Sequence, residues 1–262
     1  MFGNVKSKLI INKIFTNLRN KRKLIIIKYN KRLLNKLNIT KEEFKKYQVL
    51  KDFNSKYGTT LEDIDIKELN LCWKIIRNKG FKDLCEINFK RVNKVSLDKN
   101  EISDINSLEK LNLKNLIILE LKNNYIRDIS VFEKVNLDKL EILDLSGNKI
   151  SDISILENVN FNELKELNLK GNNITDINIL EKVNFKNLNI LNLGWNELTD
   201  ISILEKVKFK ELKQLYLHYN NILDIKVLEK VIFEKLEILD LIFNKIMDKS
   251  IICKLQIKII KV

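Results

Sequence analysis

Apolar residues recur along this chain at a fixed spacing. Leu116, Leu119, Leu121 and Ile126 frame Asn124, and with a 24-residue period the arrangement returns as Leu140, Leu143, Leu145, Asn148 and Ile150. It returns again from Leu164, Leu188, Leu212 and Leu236, and one step earlier from Val92, making seven regular copies without an insertion. A longer, degenerate copy over 66–91 stands in front of them. Ile66, Leu69, Leu71 and Ile76 fit the front of its frame, and Leu84, Ile87 and Phe89 fit its back, with Lys74 where Asn stands elsewhere. A terminal copy has one neighbour only, so departure from the consensus is expected.

Within a copy, Leu119 and Leu121 alternate with Ile118, Glu120 and Lys122. A period of two predicts a short strand with its leucines turned inward. Ile126, Ile129, Phe132, Val135 and Leu137 supply the rest of an inward ring. One such coil alone exposes apolar surface above and below itself. Burying an aliphatic side chain gains roughly 1.5–3 kcal/mol, whereas fixing the backbone costs roughly 1–2 kcal/mol per residue. Stacking buries both surfaces and pairs the strands, and so tips the balance. The pattern predicts an α/β solenoid of parallel strands.

The frame L-x-x-L-x-L-x-x-N-x-I/L resembles the leucine-rich repeat family, over about residues 66–259. The back of each copy, such as Asp152, Ile153, Leu156, Val159 and Phe161, is similar to short-repeat, internalin-like members, while Gly80, Phe81 and Leu84 look more like the ribonuclease-inhibitor type. The resemblance implies a right-handed horseshoe with about eight parallel strands on its concave face. It also implies that a partner binds on that face.

Two polar columns run through the copies. Asn100, Asn124, Asn148, Asn172, Asn196, Asn220 and Asn244 can donate and accept inside the solenoid, forming a ladder that satisfies loop backbone groups. Asp104, Asp128, Asp152, Asp176, Asp200, Asp224 and Asp248 open the return segments, where a carboxylate is a good helix cap. Neither column needs a functional reading, and the Gly-rich nonapeptide that builds a calcium ladder is absent. Adjacent pairs such as Glu133 and Lys134 read as a solvated convex face.

Residues between the inward leucines line the concave sheet. Early copies place Lys94, Ser96, Asp98, Ile118, Glu120 and Lys122 there. Later copies change character. Trp195 stands where Gly147 and Gly171 stand earlier, and Tyr216, His218, Tyr219, Ile242 and Phe243 follow on the next two strands. These six residues, Trp195, Tyr216, His218, Tyr219, Ile242 and Phe243, are the candidate partner-binding surface, since exposed aromatics among polar groups mark binding hot spots. The alternative is that the rings fold over the sheet rim and close the core.

Composition narrows the functional classes. There are 6 Gly and no Pro in 262 residues, too few for a turn-rich sandwich or barrel. His218 is the only histidine, which argues against a His-based triad or a His-rich metal site. No G-x-S-x-G, P-loop or G-x-G-x-x-G occurs. Neither catalysis nor a cofactor or metal is expected. Cys72, Cys85 and Cys253 form an odd set without staple spacing, and read as reduced thiols of a cytoplasmic protein.

The net charge of +13 sits at one end. Residues 1–60 hold 16 basic and 3 acidic residues, leaving 32 of each sign in the remainder. The organisation expected is a basic helical cap or arm over 1–57, a repeat solenoid over 58–259 (repeats near 66, 92, 116, 140, 164, 188, 212 and 236) and a short end at 260–262. In the first part, Ile11, Ile14, Phe15 and Leu18 share a helix face, and Thr40 with Glu43 fits a capping box. Ile11, Ile14, Phe15, Leu18, Lys23, Leu24 and Ile27 are loosely similar to the F-box, a module that recruits ubiquitin-ligase machinery, although its Leu-Pro start and late Trp are missing. A basic arm can also meet nucleic acid or an anionic membrane. No apolar run spans a bilayer or forms a signal peptide. At the other end, Ile252, Leu255 and Ile257 match a return segment and Ile260 stands where a ninth copy would begin. The tail is expected to fold over as a cap, to self-associate, or to continue in a longer array. The reading as a whole is a non-catalytic protein-interaction scaffold, with the F-box-like adaptor and the arm-anchored adaptor as alternatives.

Overall fold

The computed structural model describes residues 41–262 apart from 62–64, 88, 90, 232 and 256, and the side chains from residue 48 onward. The F-box-like residues and the rest of segment 1–40 lie outside the described residues. The copies form nine three-residue strands in one parallel sheet, ordered as in the chain. They are β1 (Glu68–Asn70), β2 (Lys94–Ser96), β3 (Ile118–Glu120), β4 (Ile142–Asp144), β5 (Glu166–Asn168), β6 (Ile190–Asn192), β7 (Gln214–Tyr216), β8 (Ile238–Asp240) and β9 (Ile259–Lys261). Register follows the repeat: Leu119 pairs with Leu143, Leu143 with Leu167 and Leu167 with Leu191. Each of these leucines is fully buried. The alternate residues of β3 to β7 face outward and are half-exposed, so the sheet has one wet face.

Opposite the sheet, the chain returns through short 3₁₀ turns such as Ser130–Glu133 and Ser154–Glu157. Phe161, Phe185 and Phe209 stack through the interior at centroid spacings of 6.2 and 6.3 Å. One coil earlier that column holds Leu137, and Phe132 fills the space from the neighbouring column, 6.0 Å from Phe161.

The asparagine ladder forms as the sequence predicts. Oδ1 of Asn172 accepts from the Ile150 amide of the preceding coil at 3.0 Å, while its Nδ2 donates to the carbonyls of Leu145 and Leu169. Asn124, Asn148, Asn196, Asn220 and Asn244 repeat these contacts one coil apart. Asn100 accepts from Lys74 and Ile76, so the ladder reaches the degenerate copy.

The aspartates act one residue earlier than a formal cap. Asp128 Oδ1 accepts from the Ser130 amide at 2.8 Å, two residues on, and the intervening Ile129 makes no side-chain cap. The other six do the same at 2.7–2.9 Å. The reason is the turn: a 3₁₀ return is tight, and an Asx turn that supplies its first amide with an acceptor needs this offset. On the exposed side of these turns, Lys182, Lys206, Lys230 and Lys254 pair with Glu157, Glu181, Glu205 and Glu229 of the preceding coil. Such solvated pairs are worth about 0–1 kcal/mol each.

At the N-terminal end the 3₁₀ turn is replaced by helix α2, and helix α1 lies against it. α1 spans Lys41–Tyr57 and α2 spans Arg77–Cys85. Leu50 and Phe53 of α1 are buried. Contact is close enough that a Cβ on Gly80 would come within 2.9 Å of the Tyr57 ring. Tyr57 donates to Asp83 at 2.6 Å. Gly58, at φ 60°, takes the chain out of α1, and Asn54 ties the exit by bonds to Thr59 and Leu61.

At the other end the sheet has nine strands where about eight are expected. Ile259 pairs with Ile238 and Ile260 with Leu239, so the last residues add a strand to β8 after a coil shorter than the regular ones. Beneath it, Leu228, Phe233, Leu236, Leu239, Leu255 and Ile257 line an apolar cleft.

The aspartate turns carry a pH dependence. The Ser154 backbone amide, and then its hydroxyl, hold the Asp152 carboxyl below its ordinary value; Ser250 does the same for Asp248. Unfolded Asp titrates near ~3.9. The folded carboxylates hold their protons less tightly, so their stabilisation is complete above about pH 4 and is lost as pH falls through the lower folded values. Asp152→Asn keeps an acceptor and removes the charge. It is expected to flatten the acid limb of stability against pH, read by urea unfolding between about pH 2 and 5. An acid limb identical to the wild type would contradict this account of the turn.

Candidate functional site

After β1 to β8 the chain must turn away from the sheet, and it does so through a left-handed residue at one fixed place in each coil, joined by Ile75 and Arg77 in the first coil and Glu101 in the second. The column is Trp73, Lys99, Asn123, Gly147, Gly171, Trp195, Tyr219 and Phe243, with φ between 52° and 68°. Gly takes this conformation freely; a residue with a Cβ pays roughly 1–2 kcal/mol for it. Two middle coils use Gly, and three consecutive later coils use large aromatics. Strain of this kind tends to collect at functional positions.

The three rings stand clear of the core. Trp195, Tyr219 and Phe243 are 50%, 37% and 64% exposed. They stack face to face, one per coil, with centroids 3.9 Å apart between Trp195 and Tyr219 and 4.3 Å between Tyr219 and Phe243. Beside this stack lie the other three residues that the sequence singles out. Tyr216 is half-buried, edge-on to His218 at 6.2 Å, and donates its hydroxyl to Gln214 at 2.8 Å. His218 lies edge-on to Tyr219 at 6.0 Å. Ile242 is half-buried and follows His218 on the next coil. All six candidates therefore fall in one region of β6–β8 and the turns that leave them.

His218 has its position because Gly194 has no side chain. A Cβ there would meet the imidazole at 2.5–2.8 Å, so the ring lies directly over the glycine. Its Nδ1 is buried without a hydrogen-bond partner, and Asp240 Oδ2 stands 3.7 Å away. Burial lowers the His218 pKa below its ordinary value; Asp240 acts against that shift, and Lys170 and Lys261 add to it.

The earlier half of the same face is different. Asp98, Glu120, Asp144 and Glu166 gather on β2–β5 and the turn after β2. Burial, and then the negative charges around them, raise the pKa of Asp98 and of Glu166, although the Lys122 amide pulls Asp98 the other way. Lys94 pairs with Glu120 at 3.1 Å. The sequence reading missed Trp73. It belongs to the left-handed column, is 68% exposed, and holds the Lys99 ammonium 3.5 Å from its ring centroid. The longer first copy hides it, because stepping back from Lys99 by the length of a regular copy lands on Ile75.

Chemically the region offers aromatic faces, one neutral imidazole and hydrogen-bonding amides. Among the described residues no group of three His, Cys, Asp or Glu side chains is placed to hold a metal. Burial pushes the Cys85 thiol up to about 12, so it is protonated and unreactive at neutral pH.

Comparison with known proteins agrees with this geometry. A family model described as leucine rich repeats (2 copies) matches residues 114–158. Internalin C2 of Listeria monocytogenes shares the fold with a TM-score of 0.60 at 24% identity, over 81% of this chain and 91% of that one. Internalin F of the same organism aligns over 71% of this chain and 70% of its own at 20% identity, with a TM-score of 0.42. The ectodomain of the Arabidopsis thaliana receptor kinase GASSHO1/SCHENGEN3, solved in complex with Casparian strip integrity factor 2, aligns over 68% of this chain and 20% of its own, at 24% identity and a TM-score of 0.47. No curated protein matches the chain. The chain thus has the leucine-rich repeat solenoid fold in its internalin-like form, and residues 114–158 match the repeat family itself.

The electrostatics of His218 can be read directly. Its Cε1 proton should titrate below the ordinary value of about 6.5. Asp240→Asn should move that midpoint further down and Lys170→Ala should move it up, both by NMR. A midpoint at or above the ordinary value would show that Asp240 outweighs burial.

Proposed function

We propose that this chain is a non-catalytic protein-binding scaffold that receives a partner on the open face of its sheet, centred on Trp195, Tyr216, His218, Tyr219, Ile242 and Phe243. The observation that carries the reading is the exposed stack of three rings at left-handed positions. A stack that only closed the core would be covered. This one leaves Phe243 64% exposed, and each ring occupies a backbone position that costs stability to fill. Exposed aromatics with polar neighbours supply most of the binding energy in many protein interfaces. The fold shared with internalin C2 offers a long regular face of this kind.

The reading extends to compartment. Cys72, Cys85 and Cys253 are free thiols, which fits a reducing, cytoplasmic setting. Among the described residues no helix is long and apolar enough to cross a membrane. The F-box-like and arm-anchored alternatives rest on segment 1–57, and no feature of the solenoid favours either.

The test is a double substitution, Trp195→Ala with Tyr216→Ala, in an affinity capture from the native cell followed by titration of the captured protein. Loss of two hot-spot rings should weaken binding by about 30-fold or more, the equivalent of roughly 2 kcal/mol. The urea midpoint should change little, because both rings lie outside the buried core. Unchanged binding by a folded double variant would remove this surface from the function.

A further inference from the structure

Beyond each left-handed residue the chain runs along one flank of the solenoid, and this flank changes character in the last coils. Asn196 and Leu198 are buried there while Trp195, Glu197 and Thr199 stand out, and the same inward and outward order recurs over 219–223 and 243–247. Backbone bonds hold the three segments in register, from the Asn221 amide to Leu198, from the Lys245 amide to Ile222 and from the Met247 amide to Leu223. The exposed side chains therefore form three columns. The first is the ring stack. The third is polar at Thr175 and Thr199 and then turns apolar at Leu223 and Met247, which are 51% and 88% exposed. The three rings alone expose roughly 200–400 Å² of apolar surface, given about 150–250 Å² for a whole aromatic side chain. With Leu223 and Met247 the patch reaches a size that marks an interaction site.

The middle column carries charge, and its members are paired coil by coil. Arg77 bonds Glu101 at 2.7 Å, the Lys149 ammonium lies over the Tyr125 ring, and Asn173 donates to Glu197 at 3.0 Å. The next pair is Asn221 and Lys245, and there the series breaks. Among the described residues the Lys245 ammonium has no partner. It stands exposed between Phe243 and Met247.

These charges select what covers the patch. Glu197 and Lys245 occupy one column, two coils apart, with Asn221 between them. A second copy turned about a two-fold axis along 219–223 brings segment 195–199 of each copy against 243–247 of the other. Lys245 then meets Glu197 of the second copy, and Glu197 meets its Lys245, so two ion pairs form at once. Trp195 faces Phe243, and the Leu223 side chains meet on the axis. A two-fold axis along the middle column would instead set Lys245 on Lys245 and Glu197 on Glu197. The carboxylates bordering the flank, Asp200, Asp224 and Asp248, already accept from the amides of Ser202, Lys226 and Ser250. We propose that this chain forms a two-fold dimer through the flank 195–199, 219–223 and 243–247, with Lys245 paired to Glu197 of the second copy. Three coils offer less than the ~800 Å² per partner of a standard interface, so the dimer is weak and reversible. It does not rest on the scaffold reading above, whose surface includes neither Glu197 nor Lys245.

Sedimentation velocity of the full chain over a concentration series reads the association. Half-dimerisation is expected between about 10 µM and 1 mM, with nothing larger than a dimer, because a two-fold contact closes. Lys245→Glu and Glu197→Lys each set like charges against one another, and each alone should weaken association about 10-fold or more. Mixed in equal amounts, the two variants should associate again, since each offers the charge that the other lacks. A loss of folding could not be rescued in this way. A wild-type chain that stays monomeric throughout overturns the proposal. So does association that both charge substitutions leave intact, that grows beyond a dimer, or that mixing fails to restore. The charge variants keep every ring, so failure of the dimer leaves the scaffold reading standing.

Discussion

The carboxamide of one asparagine per coil holds the solenoid in register. Each coil ends its strand in a sharp turn that leaves backbone amides and carbonyls without partners of their own. Asn172 meets that need across two coils at once, accepting from Ile150 and donating to Leu145 and Leu169. Leaving one such buried group unpaired costs about 1–3 kcal/mol. The buried leucines supply the drive to stack but would tolerate small slippage. The asparagine bonds do not, since a shift of one residue breaks them in every coil.

The same turn explains where the exposed aromatic stack lies. Fixing the asparagine requires the preceding residue to be left-handed, and that residue projects at the sheet rim. The position is repeated in every coil, so side chains placed there line up at the coil pitch. Gly147 and Gly171 relieve the strain and leave a floor; Trp195, Tyr219 and Phe243 accept the strain and build a wall. The exposed geometry of the rim is therefore a by-product of the constraint that makes the fold, and it is altered by substitution at one column without disturbing the interior.

Much of this was legible in the residues. Leu119, Asn124 and Asp128 recur without interruption, so strand, ladder and turn could be placed from spacing alone. The six candidate residues cluster as the repeat period requires. What spacing could not supply is conformation. The left-handed backbone of Trp195 depends on the turn; the seat of His218 depends on Gly194 in the coil before it. The aspartates were expected as caps and act through a tighter turn, because 3₁₀ and α returns share one apolar pattern over four residues. Trp73 was missed and β9 appeared as an extra strand for a common reason. Glu68 pairs with Lys94 and Ile238 with Ile259, so the first coil is longer than a regular one and the last is shorter. The period that reveals the middle of the array therefore misplaces its ends.

If register is kept coil by coil, coils of equal length are interchangeable, and that is open to direct measurement. Removing residues 164–187 takes out one regular unit and brings Asn196 to the place of Asn172. Amide hydrogen exchange and urea unfolding of this shortened chain read the outcome. The account predicts a cooperative fold, an unfolding slope lower by roughly one-tenth, and an Ile150 amide still protected, now by Asn196. A shortened chain that loses its cooperative transition, or in which the Ile150 amide exchanges freely while the rest stays folded, would contradict it.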